Sequence, residues 1–99
     1  MQVKINKLQK NLNIRFNNPS ILAQAITHKS HDSNKNYEKL EFLGDRVLGL
    51  VISNKLLQLY PNEKEGILDK KFSNLVNKNI CYEVGKKFNL DEFVLVGNS

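Results

Sequence analysis

Glu38, Glu41 and Asp45 stand three and four residues apart, a spacing that brings side chains onto one side of an α-helix within an arc of roughly 60°. The positions around that side are apolar, Phe42, Leu48 and Ile52 with Gly49 among them, so the carboxylates are expected where water is scarce and like charges repel. Such groups are pushed up in pKa or need a cation. Mg²⁺ suits them: it takes hard oxygen ligands and is commonly held by one or two carboxylates, with waters and substrate phosphates completing an octahedron. The alternative reading of the same residues is ordinary surface pairing with Lys39 or Arg46. Other chemistry finds less support. Ser30, Ser53 and Ser73 have no evident His and Asp companions, no glycine-rich phosphate loop is present, His31 lies in a polar stretch, and His28, the one histidine placed to act as a base, reads better as the end of a helix.

The element that must present these acids is a long helix from Tyr37 to Tyr60, apolar at Leu40, Phe42, Leu43, Val47, Leu48, Leu50, Val51, Ile52, Leu56, Leu57 and Leu59 and stopped by Pro61 and Asn62. Its apolar positions fall almost all round the axis, which predicts a helix surrounded by other protein. Gly44 and Gly49 lie inside it, each costing about 1 kcal/mol relative to Ala, and are expected to admit a close backbone or ligand. Before it, the spacing predicts a short helix over residues 3–12 and a second from Pro19 or Ser20 to about His28. A polar loop to Asn36 follows. After it come helices over residues 65–76 and 77–88, with Asn89 as a cap, and an apolar tail at 93–97 that is either extended or packed as a loop.

These 99 residues, 40% apolar and 25% charged, suffice for one core and no second full domain. The longest apolar stretch, Val47 to Ile52, falls well short of the roughly 20 residues of a membrane span. The first residues carry no secretory pattern. Cys81 is alone, reads as a small buried apolar residue, and agrees with a reducing, cytoplasmic setting. Fifteen bases against ten acids give a formal charge of +5, which favours polyanions such as nucleic acid or an anionic membrane surface.

The run Tyr37-Glu38-Lys39-Leu40-Glu41-Phe42-Leu43-Gly44-Asp45-Arg46-Val47-Leu48 resembles the signature helix of the ribonuclease III family, N-E-R-L-E-F-L-G-D-S-x-L. Thr27-His28-Lys29-Ser30 resembles its T-H-x-S, Glu65-Gly66 with Leu75-Val76-Asn77 its E-G-x-L to L-V-N segment, and Leu95-Val96-Gly97 the end of its next element. The likeness spans nearly the whole chain. It implies an all-α endonuclease domain that forms homodimers and cuts double-stranded RNA with Mg²⁺, for which Mn²⁺ is a substitute. By the same resemblance Glu41 and Asp45 are catalytic metal ligands, Glu38 and Glu65 auxiliary acids, and Phe42 a dimer contact. Lys39, Arg46 and Phe72 depart from the family's commoner Arg, Ser and Arg.

The family's second acidic pair, D-x-x-E, has no counterpart here, since Asp91-Glu92 has the wrong spacing. The chain is therefore expected to be the N-terminal portion of the catalytic domain, ending before the final helices and any double-stranded-RNA-binding domain, and inactive alone. Lys29, Lys35, Lys70, Lys71 and Lys78 are candidates for RNA phosphates. Two other readings stand beside the nuclease: a non-catalytic RNA-binding or ribosome-associated module of the same fold, and a helical interaction protein that binds no metal.

Overall fold

The computed structural model describes residues 2–97. Five α-helices follow one another: α1 (Gln2–Leu12), α2 (Pro19–Ala25), α3 (Glu38–Leu59), α4 (Glu65–Leu75) and α5 (Lys78–Lys87), then one turn of 3-10 helix (Leu90–Glu92). The all-α class expected from the periodicity holds, and each helix lies within a few residues of its predicted bounds.

Local chemistry accounts for the boundaries. Asn13 ends α1 in the left-handed conformation (φ 55°), and its N–H and that of Ile14 take the carbonyls of Lys10 and Gln9. Asn18 opens α2 by accepting the N–H of Ser20, with Pro19 in the first turn. Asn77 joins two helices: its Oδ1 accepts the N–H of Ile80 at 2.9 Å, and its Nδ2 donates to the carbonyl of Ser73, also at 2.9 Å. Asn89, left-handed at φ 56°, turns the chain after α5 as expected.

The core is built by α1, α2 and the tail. Ile5 and Leu8 of α1, Leu22 of α2, Ile26 and Phe93 are buried together, with Leu12, Phe16, Ala23 and Leu90 packed around them. The tail, expected to be either extended or packed as a loop, makes a single bridge at Leu95, and its first residue, Phe93, closes the 3-10 turn in a helical conformation. Leu95 donates to the carbonyl of Ile26 and accepts from the N–H of His28, both at 2.8 Å, forming a parallel bridge between Thr27 and Leu95. Gly97 continues that contact, donating its N–H to Ser30 Oγ at 2.9 Å. A Cβ on Gly97 would overlap the carbonyl of Ser30, so two backbones meet here with no room for a side chain.

The central helix departs from expectation. Leu56 is its one buried residue among the described residues, while Phe42 is 63% and Leu50 72% exposed, and Leu43, Val47, Val51, Leu57 and Leu59 are also exposed. The fold extends 49 × 28 × 22 Å, and α4 packs on α3, with Leu56 and Leu57 of α3 and Leu68 and Phe72 of α4 lining one depression. A helix apolar all round needs cover on every side, and this chain supplies cover on one. A Cβ on Gly49 would stand 3.6 Å from the Phe72 ring, but among the described residues nothing outside the helix lies within 4 Å of where one on Gly44 would stand. The close approach expected at Gly44 is absent among the described residues. Cys81 is exposed rather than buried, because α5 packs chiefly on the 3-10 turn and buries no residue.

Replacing Gly97 with Ala should destabilise the fold by roughly 1–3 kcal/mol through overpacking. Urea unfolding checks this, and a variant as stable as the wild type would show that the tail does not press against Ser30.

Candidate functional site

The acids on α3 are placed by the loop before it. Asp32 opens that loop with an Asx turn in which its Oδ1 accepts the N–H groups of Asn34 and Lys35, each at 2.9 Å. These bonds, led by that from Lys35, hold the Asp32 carboxyl below its ordinary range, with smaller help from the nearby His31 and Lys35 charges. Asn36 is buried. Its Nδ2 donates to the carbonyl of Asp32, its Oδ1 accepts the N–H of Glu38 at 3.0 Å, and its own carbonyl accepts Gln24 Nε2 from α2. Tyr37 N–H donates to the carbonyl of Thr27 at 3.0 Å, and the Tyr37 ring meets His28 edge-on at 5.7 Å. The first turn of α3 is thereby tied to α2, to the loop and, through residues 27 and 28, to the tail.

His28 does not end or cap the second helix, which stops at Ala25; it lies beyond it, its N–H donating to the carbonyl of Leu95. Its Nδ1 accepts the N–H of Ser30 at 3.1 Å and lies 2.7 Å from Ser30 Oγ. Ser30 Oγ in turn accepts from Gly97. The Thr27 hydroxyl donates to the carbonyl of Ala23 at 2.6 Å. The Thr-His-x-Ser segment is thus a joint of the framework.

Glu38, Glu41, Phe42, Asp45 and Arg46 line one open depression of about 360 Å³. The shared face predicted from spacing is real, but the scarcity of water is not: all three acids are exposed. Asp45 Oδ2 lies 3.5 Å from Arg46 Nη1, with side chains 71% and 61% exposed. Arg46 Nη1 also donates to the Phe42 carbonyl at 3.1 Å, and its guanidinium sits 3.9 Å over the Phe42 ring. The surface pairing foreseen for Asp45 is therefore present. Among the described residues no three acids or histidines converge as a ready metal cage. What stands on α3 is an open set of hard oxygen donors in one depression, which fits a cation that keeps most of its waters.

Glu65 is elsewhere. It begins α4 and lines a different depression with Ser53, Leu56, Leu57, Leu68, Asp69 and Phe72, so this chain does not bring it to Glu41 and Asp45. Of the lysines considered for RNA, Lys29, Lys35, Lys70 and Lys78 are exposed, whereas Lys71 is half-buried with its ammonium 4.1 Å from the Tyr60 ring centroid. Sequence reasoning missed Asn36. An Asn two residues before the first acid is a recognisable cap signal, but its polar neighbours Ser33, Asn34 and Lys35 hid it.

Residues 18–99 match the family model described as Ribonuclease-III-like. The chain belongs to this ribonuclease-III-like family. It is 58% identical over 92 residues to Ribonuclease 3 of Pelagibacter ubique, covering 93% of this chain and 41% of that protein. It is 42% identical to Ribonuclease 3 of Zymomonas mobilis, covering 94% of this chain and 37% of that one. The nuclease domain of ribonuclease III from Campylobacter jejuni superposes with a TM-score of 0.88 at 38% identity, covering 94% of this chain and 65% of that one. The chain thus spans about two fifths of these curated relatives and about two thirds of that nuclease domain. Among its described residues no helix is long and apolar enough to cross a membrane.

Two outcomes follow from this geometry. Asp32, held below its unfolded value, stabilises the loop above the ordinary aspartate range, and that contribution is lost as pH falls through its lowered pKa. NMR titration should show Asp32 protonating at lower pH than a model aspartate, with faster hydrogen exchange at Asn34 and Lys35 below that point. Arg46→Ser removes a cation beside Asp45 and should tighten Mn²⁺ binding about fivefold, on the scale of a surface charge pair, measured by calorimetric titration.

Proposed function

We propose that residues 1–99 are the N-terminal portion of a ribonuclease III catalytic domain, which in its full length is a homodimeric, Mg²⁺-dependent endoribonuclease that cleaves double-stranded RNA in the cytoplasm. The observation that carries this reading is the placing of Glu38, Glu41 and Asp45 together in one depression, on the helix that matches the family's signature. Family membership and the likeness to a nuclease domain support it.

Glu41 and Asp45 are the residues that would hold the metal, by carboxylate oxygens one helical turn apart, and Glu38 is the neighbouring acid able to hydrogen-bond waters around it. The chemistry such an ion supplies is a more acidic bound water and a polarised phosphodiester. This chain's part is to keep both carboxylates accessible, which their exposure on α3 achieves, and to fix the first turn of the helix through Asn36. Arg46, 3.5 Å from Asp45, is the cation with which a metal ion at that carboxylate would compete.

Further carboxylates from a D-x-x-E pair past Ser99 complete the site in this reading, and the 99-residue chain is inactive alone. The exposed apolar sides of α3 are where the rest of the domain and a second copy pack, with Phe42 at the dimer contact. Its 63% exposure fits that role, and the Campylobacter neighbour is described as flexible in a region involved in dimer formation.

Titrating Mn²⁺ or Mg²⁺ into the folded chain tests the metal site. Weak binding is expected for the wild type, reduced at least tenfold by Glu41→Gln and by Asp45→Asn. Equal heats for all three proteins would leave a helical interaction module instead.

A further inference from the structure

The net charge of this chain is not spread along it. Between residues 1 and 31 stand Lys4, Lys7, Lys10, Arg15 and Lys29 and no acid, whereas from Asp32 onward ten bases and ten acids cancel. The whole excess of +5 therefore belongs to α1, which holds Lys4, Lys7 and Lys10, and to the turns after α1 and α2, which hold Arg15 and Lys29. None of these five bases takes part in an ion pair among the described residues, whose pairs are Arg46 with Asp45 and Lys86 with Asp91.

The geometry of α1 gathers three of the charges. Ile5 and Leu8 are buried in the core; Lys4 is half-buried at the margin of that side, and Lys7 and Lys10, both exposed, follow at three-residue steps that turn progressively away from it, about 4.5 Å apart along the axis. At the end of the helix Lys10 and Arg15 line an open depression of about 590 Å³ with Asn6, Gln9, Asn13 and Ile14. Gln9 Oε1 already accepts the N–H of Phe16 at 2.8 Å, which leaves its amide nitrogen to donate. The carbonyls of Gln9 and Lys10 are taken by Ile14 and Asn13, so the negative end of the helix is partly masked. Two cations and three side-chain amides around an acid-free hollow form a surface for phosphate and ribose oxygens.

We propose that this face of α1, with the hollow formed by Lys10, Arg15, Asn6, Gln9 and Asn13, is a metal-independent contact for the phosphate backbone of duplex RNA, lined by none of the residues of the acidic depression on α3. It rests on the RNA reading above and adds a holding surface to it. A charged ladder along a short helix matches a polymer with a phosphate every few ångströms along each strand. A membrane surface fits less well, because an interfacial helix needs a free apolar face and that of α1 is spent in the core.

The test is fluorescence anisotropy of a labelled RNA duplex in EDTA, so that neither metal binding nor cleavage enters. The triple variant Lys7→Gln, Lys10→Gln, Arg15→Gln is compared with Lys55→Gln, Lys64→Gln, Lys87→Gln, which removes the same charge from exposed positions in the balanced part. Circular dichroism confirms that both remain helical. The α1 variant is expected to bind at least tenfold more weakly near 100 mM salt, with a log–log salt slope shallower by about 2 to 3, and the control to change less than threefold. Equal losses in the two variants would overturn the proposal by reducing it to net charge, as would binding to anionic phospholipid vesicles with none to RNA. Duplex binding that survives Glu41→Gln with Asp45→Asn and falls only in the α1 variant separates this contact from the metal site, so that either can fail alone.

Discussion

The backbone pairing between residues 26–28 and Leu95 is the constraint on which this chain's architecture rests. Two hydrogen bonds of 2.8 Å fasten the tail beside the end of α2, and that fastening carries Phe93 into the core against Ile5 and Leu8. The same three residues face the other way as well. The Thr27 carbonyl receives Tyr37 and the His28 ring meets the Tyr37 ring. One short segment therefore fixes both the core and the starting direction of the acidic helix. An exposed carboxylate on a helix needs no buried partner of its own, but it does need a helix whose first turn is held, and here the holding is done by main-chain groups and one buried amide.

Much of this was legible beforehand because the signals were local. Periodicity placed the helices, Pro61 and Asn62 marked the end of α3 and Asn89 that of α5, and the three- and four-residue steps of Glu38, Glu41 and Asp45 put these acids on a common side. What was not legible was environment. An apolar pattern all round α3 states what the helix requires, not what this chain provides, so the inferred burial of the acids failed; that of Cys81 failed separately, because α5 buries no residue. Asn36 and Gly97 escaped for a different reason: each acts on residues distant in sequence or hidden among similar polar neighbours, and single positions carry no period.

Two separate depressions divide the electrostatic labour. Acidic oxygens gather at the start of α3 beside Arg46 and Phe42, while uncancelled positive charge stays with α1 and its hollow. A strand of phosphates is repelled by the first unless a cation intervenes and attracted by the second without one. Arg46 sits between these regimes, since its guanidinium at once covers an aromatic ring and touches a carboxylate.

The bridge from Thr27 to Leu95 also has a consequence in time. Ile5 and Leu8, near the front of the chain, gain their last buried neighbour only from Phe93, so during synthesis α1 leaves the ribosome long before the residue that seals it. Contacts of such large sequence separation slow folding, because the intervening loop must close before they form. The amino-terminal helices therefore wait, partly uncovered, for the tail to emerge, and nascent-chain binding factors have their longest opportunity in that interval.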